Sequence, residues 1–104
     1  MDINLYLAVS TYLVDGDRVL GALVEHRAWS KTNYENGTLL FSGRQDPPVG
    51  GVLAFRAADR AAAEAFVESD PFVREGIAEY QILAVTPTPA PWRSPGFELF
   101  ASGN

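Results

Sequence analysis

The order of the strand-like and helix-like hydrophobic patterns restricts the possible folds of this chain most, because these patterns alternate within only 104 residues. Residues 5–14 are rich in β-branched and aromatic side chains and end at an Asp-Gly-Asp turn, which is typical of a strand. Apolar residues with helical spacing follow from Val19. We expect Asp17 to cap this helix and Gly37 to end it, since glycine readily adopts positive φ.

Two short strand patterns, residues 38–42 and 50–56, come next and are close enough in sequence to pair as a hairpin. Asp59 is the expected cap of a second helix. The Asp-Pro pair at 70–71 opens a further helical turn, because proline fits the first helical position. Residues 77–85 form the last strand pattern. This order predicts a ferredoxin-like α+β fold, or split βαβ, with a four-stranded antiparallel sheet and two helices on one face.

Both faces of the predicted sheet carry apolar side chains. Two helices can cover only one face, so a second copy of the sheet is the simplest cover for the other, since twofold dimers are the commonest oligomers. We therefore expect a homodimer. Residues 1–86 form the predicted domain, and the proline-containing extension 87–104 is the alternative cover. We expect residues 97–100 either to add an edge strand or to pack on the sheet.

Composition excludes several classes of function. Thirteen acidic against eight basic residues give a net charge of −5, and no basic patch is present for nucleic acid. The absence of cysteine removes disulfides, thiolate nucleophiles and cysteine-ligated zinc or iron–sulfur sites, and a single histidine excludes a multi-histidine metal site. No nucleotide, flavin or metal motif is present. The apolar run 5–14 is too short to cross a bilayer, and Met1-Asp2 does not open a secretory signal. We expect a cytoplasmic protein with no cofactor, metal, nucleic acid or membrane partner.

Two residues are candidates for acid–base chemistry, and each has a structural alternative. His26, on the first predicted helix, is either a partly exposed structural residue or a general acid or base, since an imidazole titrates near neutral pH. Asp70 is either the cap of the helical turn at Pro71 or a carboxylate that orients His26 and stabilises its imidazolium. The residues leave both alternatives open.

Further candidates concern substrate binding. Arg44, beside Ser42 where a strand meets a loop, either holds an anionic substrate group or is a solvated loop cation. Tyr6 and Trp29 either line an apolar pocket with polar tips or pack in the core. The glycine pair at 50–51 indicates a close backbone approach or a bulge rather than a phosphate-binding loop.

Several motifs together resemble the YCII-related (YciI-like) domain family. They are His26 with Gly37 eleven residues later, Leu-Leu-Phe-Ser-Gly at 39–43, the glycine pair, and Ser-Asp-Pro-Phe-Val-Arg-Glu-Gly at 69–76. The resemblance covers about residues 4 to 86. It implies a ferredoxin-like fold of the dimeric α/β-barrel type, with the sheets of two copies facing each other. It also implies an active-site histidine–aspartate pair beside a small pocket, which falls on His26 and Asp70.

The resemblance favours a function based on that pair. It implies a cofactor-free enzyme with general acid–base chemistry on a small cyclic or aromatic molecule, of the isomerase, lyase or dehydratase, or cyclase type. The chain departs from the family pattern at Arg44, where proline is usual, and in its C-terminal extension. The alternatives are a non-catalytic small-molecule-binding or accessory homodimer, and a module that binds a partner through the extension.

Overall fold

The computed structural model describes residues 4–88 and Pro95. The elements, in chain order, are β1 (Leu5–Tyr12), α1 (Gly16–Glu35), β2 (Leu39–Arg44), β3 (Gly51–Arg56), α2 (Arg60–Glu68), α3 (Pro71–Arg74) and β4 (Ala78–Val85). The strands form one antiparallel sheet in the order β2-β3-β1-β4. The predicted α+β class and ferredoxin-like topology are confirmed. Residues 97–100 lie outside the described residues.

The helices cover one face of the sheet. Alternate residues of β1, namely Tyr6, Ala8 and Ser10, are buried on this face, whereas Leu5, Leu7 and Val9 between them are only partly buried. The main core cluster joins strand residues to α2 and consists of Tyr6, Ala8, Leu39, Leu53, Phe55, Ala63, Val67 and Ile82. A second cluster joins α1, α3 and the start of β4 through Ala22, Phe72, Ile77 and Ala78.

The start of α1 corrects one expectation. Asp15, not Asp17, is the N-cap, and its Oδ1 accepts a hydrogen bond from the backbone nitrogen of Arg18 at 3.0 Å. Gly16 already belongs to the helix, so Asp17 lies in the first turn. A carboxylate there is stabilised by the positive end of the helix dipole. Gly37 follows the end of α1 with a φ of +82°, as predicted.

The second half of α1 packs loosely on the sheet. Its apolar spacing holds through Leu23, after which His26 and Ser30 take the positions that would continue the apolar face. Among the described residues of α1, only Ala22 is buried. A helix with so weak an apolar face leaves space between itself and the sheet, and this space becomes the cleft described below. None of the described helices is both long and apolar enough to span a bilayer.

The opposite face of the sheet has no helix on it within the described part of the chain. Strand register places Leu7 beside Leu83 and Phe41 beside Ala54 on this face. The exposed fraction is 43% for Leu83 and 49% for Phe41. The apolar character predicted for both faces is therefore present, although Gln81 and Glu79 of β4 also lie on the second face.

A close backbone approach explains one member of the glycine pair. A Cβ at Gly50 would lie 1.9 Å from the carbonyl oxygen of Ser10 and 2.6 Å from its carbonyl carbon. Because both of these atoms belong to the backbone, no side-chain rotation can relieve the clash. The side chain of Gln45 also reaches this point and donates to the Ser10 oxygen at 2.7 Å. Glycine is therefore required where the loop before β3 crosses β1.

Gly50→Ala should lower the free energy of unfolding by about 2–4 kcal/mol, because the loop must move away from β1 to admit the methyl group. Gly43→Ala is the matched control, since a Cβ at that strand position meets no atom within 4 Å. We expect the control to change stability by no more than about 0.5 kcal/mol. Urea unfolding followed by tryptophan fluorescence measures both, and equal stability of the two variants would contradict the close approach.

Candidate active site

Two elements bring the predicted acid–base pair into contact. His26 lies in the middle of α1, and Asp70 is the N-cap of α3, forty-four residues later in the chain. The imidazole Nδ1 and the carboxylate Oδ1 are 2.8 Å apart. The side chain of Asp70 is fully buried, whereas that of His26 keeps 17% of its surface exposed. Asp70 is thus inaccessible to solvent, whereas His26 is partly accessible.

Asp70 accepts hydrogen bonds from three sides. Besides His26, the Tyr80 hydroxyl donates to Oδ2 at 2.7 Å, and the backbone nitrogen of Phe72 donates to Oδ1 at 3.0 Å. The capping and orienting alternatives for Asp70 are therefore not exclusive, because one carboxylate does both. Three donors converging on one buried group favour the ionised carboxylate, which only accepts hydrogen bonds.

This arrangement selects one tautomer of His26. A carboxylate offers no proton, so Nδ1 must carry the hydrogen that lies between the two side chains. In the neutral ring Nε2 is then an acceptor with a free lone pair. His26 lines a cleft, and Nε2 lies across the ring from Asp70. A ring with a basic nitrogen is therefore part of the cleft lining.

Aromatic rings hold the imidazole in place. The His26 and Phe72 rings stack with centroids 4.0 Å apart and planes within 2° of parallel. Trp29 lies near the same imidazole, with centroids 5.9 Å apart. The Asp-Pro-Phe motif at 70–72 therefore has a physical basis, since aspartate binds Nδ1, proline begins α3 and phenylalanine packs on the ring.

Tyr80 is a member of this cluster that the sequence analysis did not single out. It lies on β4 with the same alternation as the buried residues Ala78 and Ile82, which is the one sequence signal that points it toward the helices. Burial raises the pKa of the Tyr80 hydroxyl well above its ordinary value of 10.0, and the charge of Asp70 and the hydrogen bond to it raise the pKa further. The hydroxyl therefore stays protonated and remains a donor to Asp70.

The raised pKa of Tyr80 predicts alkaline destabilisation. Below pH 10 the hydroxyl is protonated in both states, so its contribution to stability is fully present. Above pH 10 the unfolded chain loses this proton while the folded protein keeps it. The free energy of unfolding should then fall by up to about 1.4 kcal/mol per pH unit. Urea unfolding at several pH values between 9 and 11 should show a shallower fall for Tyr80→Phe, and identical slopes would contradict the prediction.

The cleft lies between α1 and the sheet and has a volume of about 1320 Å³. Its lining near the start of α1 is apolar and includes Val19, Leu20 and Leu23. Its lining near the end of α1 is polar or cationic and includes Arg27, Ser30, Lys31 and Tyr34. His26 lies between these two parts. The space is large enough for a small organic ligand.

The four predicted substrate-binding residues divide into two pairs. Ser42 and Arg44 line the cleft, and the Ser42 hydroxyl is 2.6 Å from the Tyr34 hydroxyl. Tyr6 and Trp29 do not line it. Tyr6 is 8% exposed and stacks on Phe55 in the core. The Trp29 indole nitrogen donates to the Ser69 hydroxyl at 2.9 Å. Trp29 therefore packs beside His26 outside the cleft.

A metal site is not evident at this pair. Across residues 4–88 and Pro95, no three side chains of histidine, aspartate or glutamate come together as a metal ion would require. The chemistry that the arrangement supports on its own is proton transfer at Nε2 of His26.

Comparison with known families identifies the chain. The model of the YCII-related domain matches residues 5–87. The chain belongs to the YCII-related family. The resemblance expected from the motifs is thus confirmed, and the matched range contains both His26 and Asp70. A comparison of this YCII-related protein with curated proteins finds no match.

Solved structures share the fold of this YCII-related protein at low sequence identity. One is the 5-chloro-2-hydroxyhydroquinone dehydrochlorinase of Burkholderia phenoliruptrix AC1100, solved with 2,5-dihydroxybenzoquinone, at a TM-score of 0.67 and 18% identity over 81% of this chain and 95% of that chain. Another, assigned as an antibiotic biosynthesis monooxygenase of Bacteroides thetaiotaomicron VPI-5482, has a TM-score of 0.53 and 15% identity over 88% of this chain and 96% of that chain. At these identities the likeness shows the fold.

Proposed function

We propose that this YCII-related protein is a cofactor-free enzyme that moves a proton on a small cyclic or aromatic molecule. The observation that carries the proposal is the hydrogen bond between Nδ1 of His26, whose ring lines the cleft, and the buried Asp70, because this bond leaves Nε2 as the basic nitrogen of the ring. The family and the dehydrochlorinase neighbour support small-molecule chemistry on this fold. His26 and Asp70 are the residues to which we assign the chemistry.

The proposed step uses both nitrogens of the imidazole. Nε2 takes a proton from a substrate carbon, and the electron pair of that C–H bond moves into the substrate. The resulting imidazolium carries hydrogens on both nitrogens and is stabilised by the Asp70 carboxylate. Nε2 then returns the proton to another carbon in an isomerisation, or to a leaving group in an elimination. In a cyclisation, the carbon that lost its proton attacks a carbonyl carbon of the same molecule, and the carbonyl oxygen takes the proton from Nε2. One dyad therefore serves the isomerase, lyase and cyclase reaction types.

Solvent deuterium exchange tests this step directly. The probe is 2,5-dihydroxybenzoquinone, the ligand of the structural neighbour, dissolved with the protein in D₂O. Nε2 first takes a deuteron from D₂O, and the resulting imidazolium delivers it to an enolic ring carbon. The neutral Nε2 then removes the original proton from that carbon, so the ring C–H signal in the NMR spectrum should decay faster than without protein. Binding of the probe with no faster decay would contradict the enzyme proposal and favour a small-molecule-binding protein.

We also infer that two copies pair through the open faces of their sheets. Leu7, Leu83 and Phe41 lie on that face, and an apolar surface of this kind is stabilised by removal from water. A second copy presents the same surface around a twofold axis. The chain would then bury on assembly the face that its own described helices leave uncovered.

Leu83→Lys should break this pairing, because the dimer would have to bury an unpaired ammonium group. We expect the dimer dissociation constant to rise by about 100-fold or more. Val24→Lys is the control, since Val24 is 79% exposed on α1, away from that face. Analytical ultracentrifugation should give a dimer for the wild type and for the control. A monomeric wild type, or equal dissociation of both variants, would contradict the inference.

A further inference from the structure

The cleft carries a charge opposite to that of the whole protein. Three cationic residues line it, Arg27, Lys31 and Arg44, against one acidic residue, Glu35. The chain as a whole has a net charge of −5. Cations concentrated in a cleft of an acidic protein attract anionic ligands selectively, because the low-dielectric walls focus their field.

Two of these cations have no partner of their own. The Lys31 Nζ lies 3.9 Å from a carboxylate oxygen of Glu35 one helical turn away, so these two charges offset each other. Within the described part of the chain, neither Arg27 nor Arg44 forms a hydrogen bond or an ion pair through its guanidinium. A guanidinium presents paired N–H donors that fit an oxyanion in a bidentate manner. Both groups are therefore free to bind a ligand.

The lining also has a direction along α1. On the α1 side of the cleft, Val19, Leu20 and Leu23 form an apolar stretch of the lining, Arg27 follows it, and His26 lies between them. On the sheet side, Arg44 lines the cleft from the end of β2. The helix rises about 1.5 Å per residue, so the apolar and cationic parts are separated by about 6 Å between Leu23 and Arg27. One small molecule can span this distance and touch both parts.

We propose that the substrate is an amphipathic organic acid. Its apolar portion lies on Val19, Leu20 and Leu23, its oxyanion is held by one of the two unpaired guanidiniums, Arg27 or Arg44, and its reacting carbon faces Nε2 of His26. This inference rests on the proposed function only in placing the substrate in the cleft beside His26. The departure from the family pattern at Arg44 then acquires a role, because the residue supplies one of the two unpaired cations.

Binding of a matched pair of probes tests the substrate class. Benzoate and benzamide have nearly the same size and shape, but only benzoate carries a charge. We expect benzoate to bind at least about tenfold more tightly in NMR titrations followed at the backbone amides of Leu23 and Arg27. Equal affinities for the two probes would overturn the proposal.

Variants locate the anion and separate the two proposals. Arg27→Met and Arg44→Met keep most of the side-chain stem, and the one that removes the binding guanidinium should weaken benzoate binding about tenfold without affecting benzamide binding. Arg18→Met, an exposed cation outside the cleft, should leave both affinities unchanged. Loss of benzoate affinity in Arg18→Met, or none in the other two, would overturn the proposal. The readout is binding, so a failure here differs from a failure of proton exchange at His26.

Discussion

His26→Asn should lower the rate of proton exchange on a bound substrate by about 10²–10⁴-fold, which is the usual contribution of a positioned general base. The asparagine amide nitrogen occupies about the position of Nδ1, so it can still donate to Asp70. The variant removes Nε2, the only nitrogen that the tautomer leaves as a base. The free energy of unfolding should fall by only about 1 kcal/mol, because the ring stack on Phe72 is lost but the buried carboxylate keeps its three donors.

Deuterium exchange on the ring protons of 2,5-dihydroxybenzoquinone measures this effect. Glu25→Gln is the matched control, since Glu25 is the exposed neighbour of His26 on α1 and does not line the cleft. The control should exchange at the wild-type rate. An exchange rate for His26→Asn within a few-fold of the wild type would show that another group moves the proton.

Asp70→Ala should lower the free energy of unfolding by about 3–5 kcal/mol. Truncation leaves the imidazole Nδ1–H, the Tyr80 hydroxyl and the Phe72 amide without their acceptor, and the Phe72 amide is buried away from water. The alanine also loses the cap of α3, which by itself is worth about 1 kcal/mol. The expected cost therefore exceeds what capping alone explains.

Asp59→Ala isolates the capping contribution. Asp59 caps α2 through a hydrogen bond to the backbone nitrogen of Ala62 at 2.8 Å, and its side chain is exposed. We expect Asp59→Ala to lower the free energy of unfolding, measured with urea, by about 1 kcal/mol. If Asp70→Ala costs no more than Asp59→Ala, Asp70 is a helix cap and the buried network contributes nothing measurable.

The fold could be predicted because its signals are local. Turn residues, caps and apolar alternation each act over a few residues, and they give the element order that the structure confirms. The sequence does not distinguish Asp15 from Asp17 as the cap of α1, because both flank the same glycine and both carry a carboxylate. Which of the two caps is decided by where the helix begins, and this depends on how α1 packs on the second core cluster.

The site could be predicted only in part because its contacts are long-range. No spacing rule links His26 to a residue forty-four positions away. Only the motifs of the family connect His26 with Asp70. The sequence gives no sign of the contact between Tyr80 and Asp70, because that contact depends on how β4 and α3 meet. Tyr6 and Trp29 have the amphipathic rings expected in a pocket, but the same rings also suit a core with one polar partner.

The tautomer of His26 is the most direct test of the dyad. The chain has a single histidine, so its two ring nitrogens are unambiguous in a ¹⁵N spectrum. We would record it near pH 9, where an imidazole is ordinarily neutral. The predicted result is a hydrogen on Nδ1 and none on Nε2 in the wild type, with this preference reduced in Asp70→Asn. A hydrogen on Nε2 in the wild type would turn the basic nitrogen away from the cleft and contradict the proposed role of His26.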